Sequence, residues 1–134
     1  MSSNKVGLLV VAGGRGVRLG ADRPKQYLSC AGRPLIVHTL EALAASFPFS
    51  AIAVVIRPDD RPLYDQAIVQ LAASAAAALA PPAIGGATRQ QSVLSGLQAL
   101  TAADLDIVLI HDAVRPFPSP ALIARAIEAA ERHG

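Results

Sequence analysis

Val6-Gly7-Leu8-Leu9-Val10-Val11-Ala12-Gly13-Gly14-Arg15-Gly16-Val17-Arg18-Leu19-Gly20 opens with six residues free of polar side chains and closes on a loop of glycines and arginines. A continuous apolar run of that length is the signature of a parallel strand covered on both faces. Such a strand needs a crossover to its next parallel neighbour, so the following residues should form a helix and then another strand. They do so in pattern. Pro34 suits the first turn of a helix carrying Leu35, Ile36, Leu40, Leu43 and Phe47 at helical spacing, and Pro48 stops it. Residues 51–56 repeat the buried-strand pattern, and Asp59-Asp60 before Pro62 marks the start of a helix over 62–76.

Further along, Ala83-Ile84 before Gly85-Gly86 predicts a short strand. A helix is expected over 88–100, with Val93, Leu94, Leu97 and Leu100 as its apolar stripe, and 106–110 is expected to be another buried strand. Ser119 and Pro120 begin a last helix running to Arg132. The alternation predicts an α/β fold with a doubly wound, mainly parallel, Rossmann-like sheet, whose ligands bind at the carboxyl ends of the strands.

Composition narrows the function classes. At 134 residues, 52% hydrophobic and 16% charged, the chain fits one domain and excludes a disordered one. A net charge of +2 is too small to argue for nucleic acid, and no nucleic-acid partner is expected. The cations are clustered, however: Arg15, Arg18, Arg23, Lys25 and Arg33 surround a single acid, Asp22, an excess that suits an anion. The apolar stretch 67–80 contains Gln70 and Ser74 and ends at Pro81-Pro82, short of the ~20 residues a membrane span needs, and reads as a small-residue helix. Lys5 ahead of the first strand imitates an export signal only weakly, with basic residues following at once. Cys30 has no intramolecular partner, which fits a reducing, cytoplasmic setting.

Three strand-to-helix segments can carry chemistry. Gly13 to Gly20 offers bare backbone N–H groups and two guanidinium groups to a phosphate, but it lacks both the dinucleotide fingerprint and the Gly-Lys-Ser/Thr of a P-loop. Spacing alone leaves it a phosphate cradle or a surface loop with solvated arginines, and leaves Lys25 a phosphate contact or a solvated charge. Gly85-Gly86-Ala87-Thr88-Arg89-Gln90-Gln91-Ser92 is either a capped tight turn or a ligand contact. His111-Asp112-Ala113-Val114-Arg115-Pro116 is either an ion-paired strand end or a third wall of the same site.

Together these segments carry a resemblance. Val-Ala-Gly-Gly-Arg-Gly-Val-Arg-Leu-Gly at 11–20, Pro-Lys-Gln-Tyr-Leu at 24–28, Gly-Gly-Ala-Thr-Arg-Gln-Gln-Ser-Val at 85–93 and His-Asp-Ala-Val-Arg-Pro-Phe at 111–117 resemble the 2-C-methyl-D-erythritol 4-phosphate cytidylyltransferases. The first motif is shared with many nucleotidyltransferases, including guanylyl-transferring ones; the second and fourth narrow it to cytidylyltransferases. The resemblance implies a sheet of the nucleotide-diphospho-sugar transferase type and transfer of a cytidylyl group from CTP to a polyol phosphate, releasing pyrophosphate, with Mg2+ as cofactor. By motif it implies Arg18 and Lys25 as the catalytic pair. It puts Ala12, Gly13, Gly14, Gly86, Arg89, Ser92, Asp112 and Ala113 around the nucleotide, Asp112 at the metal and Arg115 near the acceptor.

Ala12-Gly13-Gly14 stands where many relatives have Ala-Ala-Gly and is similar to ribitol 5-phosphate cytidylyltransferases as well, so ribitol phosphate is the alternative acceptor. The 85–92 segment is closer to the methylerythritol group, including its members fused to a cyclodiphosphate synthase. Relatives continue well past residue 134, and full-length ones are expected to be homodimers. The expectation is therefore that residues 1–134 are the N-terminal, CTP-binding part of a truncated nucleotidyltransferase domain, active or retained as a nucleotide-binding remnant.

Overall fold

The computed structural model of the chain describes residues 4–12, 24–113 and 119–133. Its first strand, β1 (Val6–Ala12), is buried along its whole length. Two parallel neighbours flank it: β4 (Ala51–Ile56) on one side and β6 (Ile107–Asp112) on the other. The two-residue β5 (Ala83–Ile84) extends the sheet beyond β4, giving the order β5-β4-β1-β6, with every pairing parallel. The predicted α/β fold with a parallel sheet is the one observed.

Alternation along β1 sends its side chains into two cores. Val6, Leu8, Val10 and Ala12 pack with Ile36, Val37, Leu40 and Leu43 of α1 (Leu35–Ser46), Tyr64 and Ala67 of α2 (Arg61–Ile68), and Ile123 and Ile127 of α5 (Pro120–His133). Leu9 and Val11 face the opposite way and join Ala53, Val55, Ala83 and Leu100 under α4 (Arg89–Ala99). Ser119 begins α5 as expected, its Oγ accepting from the Leu122 N–H at 3.1 Å.

Four expectations fail in detail. The helix over 62–76 is divided: α2 stops at Ile68, and a four-residue helix, α3 (Ala73–Ala76), starts again after a turn. The reason is tertiary. The Ala72 N–H donates to a Glu41 carboxylate oxygen of α1 at 2.8 Å, and residues 78–80 run beside β4, exchanging hydrogen bonds of 2.8 Å with Ile52. These partners satisfy the backbone better than a continued helix, which overrides alanine's propensity. The 67–80 stretch is accordingly not a single helix. Among the described residues no helix is long and apolar enough to cross a membrane.

Second, the α4 stripe faces inward only in part: Leu100 is buried and Val93 packs against the core as expected, but the two leucines between them do not. Leu94 and Leu97 are 56% and 38% exposed, whereas Ser92 and Gly96 are buried. A Cβ on Gly96 would lie 2.1 Å from a Leu9 methyl and 2.8 Å from one of Val55, so the helix sits on the sheet through its smallest residue. Third, β6 is not a fully buried strand. It begins and ends later than expected, is half-buried, and leaves Ile110 46% exposed at the sheet edge. Fourth, Pro34 precedes α1 instead of opening it, because it pairs with Ser29 in an antiparallel ribbon of β2 (Ser29–Cys30) and β3 (Arg33–Pro34). The reversal uses Ala31 and Gly32 at positive φ, and the Arg33–Glu41 ion pair ties the ribbon to α1.

Candidate functional site

Parallel pairing brings the carboxyl ends of β1, β5 and β6 to one edge of the sheet, where Ala12, Gly86, Asp112 and Ala113 stand at or just beyond the strand ends. Val11 stands opposite Asp112 in the β1–β6 register, and the Ala113 N–H donates to the Val11 carbonyl at 3.0 Å. Ala12 and Ala113, both buried, thus lie side by side at the end of the two strands. Two supports hold this end. The buried Gln26 side chain donates to the Ala12 carbonyl at 2.9 Å, and the buried Thr39 hydroxyl of α1 donates to the Ala113 carbonyl at 3.1 Å.

Gln26 also fixes the neighbourhood of Lys25. Both belong to a tight 3-10 turn, Lys25–Tyr27, whose Tyr27 ring is buried in the core while the Lys25 side chain is exposed. The turn packs between α1 and α2. An exposed ammonium on a turn anchored from both sides is a fixed positive charge presented to solvent.

The turn after β5 is ordered by side-chain caps. Thr88 closes a capping box on α4: its hydroxyl accepts from the Gln91 N–H at 3.1 Å, and the Gln91 side-chain oxygen accepts from the N–H groups of Ala87 and Thr88 at 2.8 and 3.3 Å. The Gly86 N–H donates to the buried Ser92 hydroxyl at 3.2 Å. Side chains are excluded at both glycines. A Cβ on Gly85 would lie 2.9 Å from Ser92 Oγ, and one on Gly86 would lie 2.5 Å from Gln91 Cβ. What remains is a bare backbone surface beside a hydroxyl whose oxygen accepts from Gly86 and which carries a proton of its own to donate.

This turn is joined to β6 by charge. Arg89 Nη1 lies 3.4 Å from Asp112 Oδ1, an ion pair linking the first residue of α4 to the last residue of β6. Of the site residues named from sequence, the structure brings together Ala12 with Ala113, Gly86 with Ser92, and Arg89 with Asp112. Lys25 is connected to them through Gln26. Gly13, Gly14, Arg18 and Arg115 lie outside the described residues. An open, largely apolar groove of ≈ 350 Å³ runs along the outer face of α4, lined by Arg89, Gln90, Val93, Leu94 and Leu97, and shares only Arg89 with the strand-end cluster.

Gln26 and Thr39 were not singled out from sequence, although both brace the site. Gln26 lies inside a quoted motif without a role of its own. Thr39 could have been found as the one polar residue on the buried face of α1 formed by Ile36, Leu40 and Leu43.

The donor set bears on a metal. Among the described residues no three His, Cys, Asp or Glu side chains are grouped to hold one. A single carboxylate among the described residues at this strand end, with a guanidinium beside one oxygen, does not suit a structural zinc. It fits Mg2+, which binds through one or two carboxylates and takes its other ligands from water and substrate phosphates.

The chain matches a family model described as IspD, 2-C-methyl-D-erythritol 4-phosphate cytidylyltransferase, over residues 6–134. It is similar to the bifunctional enzyme IspD/IspF of Nitrobacter winogradskyi, with 48% identity over 99% of this chain and 32% of that protein. The protein of the same description from Paramagnetospirillum magneticum is 49% identical over 96% of this chain and 32% of its own length. Among solved structures, 4-diphosphocytidyl-2C-methyl-D-erythritol synthase from Anaerococcus prevotii superposes with a TM-score of 0.72 at 26% identity, covering 96% of this chain and 52% of that one. The chain spans about a third of the length of the curated relatives it matches. With the motifs, the parallel sheet and the family match all in agreement, the chain belongs to the 2-C-methyl-D-erythritol 4-phosphate cytidylyltransferase family.

Proposed function

We propose that this chain is the CTP-binding part of a cytidylyltransferase that moves a cytidylyl group from CTP to 2-C-methyl-D-erythritol 4-phosphate, in non-mevalonate isoprenoid precursor synthesis. The observation that carries the reading is the meeting of a bare Gly85-Gly86 turn, the Ser92 hydroxyl and the Asp112 carboxylate at one sheet edge in a member of this family.

In the proposed reaction an acceptor phosphate oxygen attacks the α-phosphorus of CTP. A new P–O bond forms, the bond between the α-phosphorus and the bridging oxygen breaks, and pyrophosphate leaves. No covalent enzyme intermediate is needed, so catalysis consists of positioning and charge stabilisation. Lys25, with Arg18, meets the negative charge building up on the phosphates. The Gly86 backbone and Ser92 hydroxyl, with Ala12, Gly13, Gly14 and Ala113, line the base and ribose, and Arg115 faces the acceptor. Asp112 would hold Mg2+, which supplies positive charge to the triphosphate when bound. The setting we assign is the cytoplasm, and the assembly of the full-length protein a homodimer.

Pyrophosphate release measured with CTP, Mg2+ and each acceptor in turn tests the proposal. Turnover with methylerythritol phosphate is expected. Lys25→Ala should lower kcat ~10²-fold, the usual cost of removing one preorganised electrostatic donor. A preference for ribitol 5-phosphate would move the acceptor, a preference for GTP would move the donor, and CTP binding without turnover would make the chain a nucleotide-binding remnant.

A further inference from the structure

We propose that Arg89 is a positioning residue that serves as a resident counter-cation for Asp112, and that a divalent cation must take the carboxylate from it. The inference rests on the reading of Asp112 as the carboxylate that meets the metal. It adds a competition between two cations for one oxygen.

The geometry suits exchange. The two groups lie on different elements at the carboxyl edge of the sheet, and each is fixed at its backbone: Asp112 by pairing with β1, and Arg89 by the capping box that immediately precedes it. Only the guanidinium end is adjustable, and the Arg89 side chain is 59% exposed. The contact of 3.4 Å runs from one guanidinium nitrogen to one carboxylate oxygen and is longer than a strong charge-assisted hydrogen bond. Such a pair is displaceable. Surface ion pairs shift an equilibrium by at most about fivefold, and this one is exposed on its Arg89 side and half-buried on its Asp112 side, whereas a hard divalent cation prefers carboxylate oxygen.

Two consequences follow from competition. In the nucleotide-free protein, Arg89 weakens metal binding at Asp112, so the cation is favoured when it arrives with the triphosphate's own oxygens as ligands. Once displaced, the guanidinium stays at the same sheet edge as a positive charge beside the phosphates. Neither consequence requires α4 or β6 to move.

The test uses the ¹⁵N-labelled chain and Mn2+ alone, without nucleotide, following the paramagnetic broadening of the Asp112 and Ala113 amide signals. Arg89→Gln should bring the broadening midpoint to an Mn2+ concentration about two- to fivefold lower than wild type. Arg89→Lys, which keeps the charge, should remain near wild type, and Asp112→Asn should abolish broadening at these positions. A merely structural role for Arg89 would not reverse with lysine. An unchanged or higher midpoint for Arg89→Gln overturns the proposal, as does broadening that survives in Asp112→Asn. Dispersed amide spectra of each variant establish that it is folded. Because Mn2+ binding is read without turnover, failure of the cytidylyl-transfer assay with an intact Arg89→Gln shift would count against the proposed reaction and not against the competition.

Discussion

Tyr64 is fully buried, and its hydroxyl has no hydrogen-bond partner among the described residues; the same is true of Tyr27, the last residue of the Lys25 turn. Burial, reinforced by the nearby Asp65 carboxylate and only partly opposed by Arg61, pushes the Tyr64 phenol up to about 12. Burial likewise raises Tyr27, with Asp60 and Tyr64 adding to the effect. The sign for stability follows from which state ionises first. The unfolded chain loses its phenolic protons near pH 10, while the folded chain holds them. The stabilisation is therefore complete below pH 10 and is lost as pH rises from 10 towards 12. Urea midpoints measured across this range should fall. Tyr64→Phe should flatten the fall and be neutral or slightly stabilising at pH 7, since the hydroxyl it removes is buried without a partner among the described residues. A steeper alkaline decline in Tyr64→Phe would contradict this account.

At the scale of elements, α4 does two jobs. It covers one face of the sheet, and its capped first turn shapes the Gly86 backbone surface. Thr88→Ala removes the hydroxyl that accepts from Gln91 and should cost ~1 kcal/mol of stability in chemical denaturation. Amide exchange at Ala87 should speed up with it, because the Gln91 side chain holding that N–H loses its reciprocal partner. The cap could be read from sequence because Thr88, Gln91 and the two glycines signal a helix start within seven residues. The strand ends β1 and β4 and the Ser119 start of α5 were legible for the same local reason. The inward face of α4 was legible only at Val93 and Leu100, because the leucines outweigh Gly96 in any hydrophobic pattern, and only the Leu9 and Val55 methyls show why the glycine must face the sheet. The Arg89–Asp112 pair is equally hidden: each residue stands in a motif, but their meeting depends on β6 lying next to β1. The break between α2 and α3 depends on Glu41 and Ile52, which no local window contains.

At the scale of the molecule, the apolar surface is uneven. Among the described residues β6 is an edge strand, and its Ile110 is exposed, as are Leu94 and Leu97 of α4. An open strand edge with an apolar side chain invites pairing with another chain, and natural edges are blunted by lysine. Ile110→Lys is expected to lower the light scattering of concentrated chain while shifting stability by no more than ~0.5 kcal/mol, as for other surface substitutions. Scattering that stays the same would show that the β6 edge is not where copies associate.

In the order β5-β4-β1-β6, one of the two inner strands, β1, precedes the other three strands of the described sheet in the sequence. As the chain leaves the ribosome, Val6–Ala12 emerges as a bare aliphatic segment and has no sheet to join until residues 51–56 follow, nor a second neighbour until residues 107–112 do. Sequence-distant pairing of this sort slows folding and prolongs the exposure of sticky intermediates. While residues 13–106 are being added, the nascent polypeptide therefore carries an aliphatic segment without its full set of neighbours, a vulnerability suited to capture by chaperones near the tunnel exit.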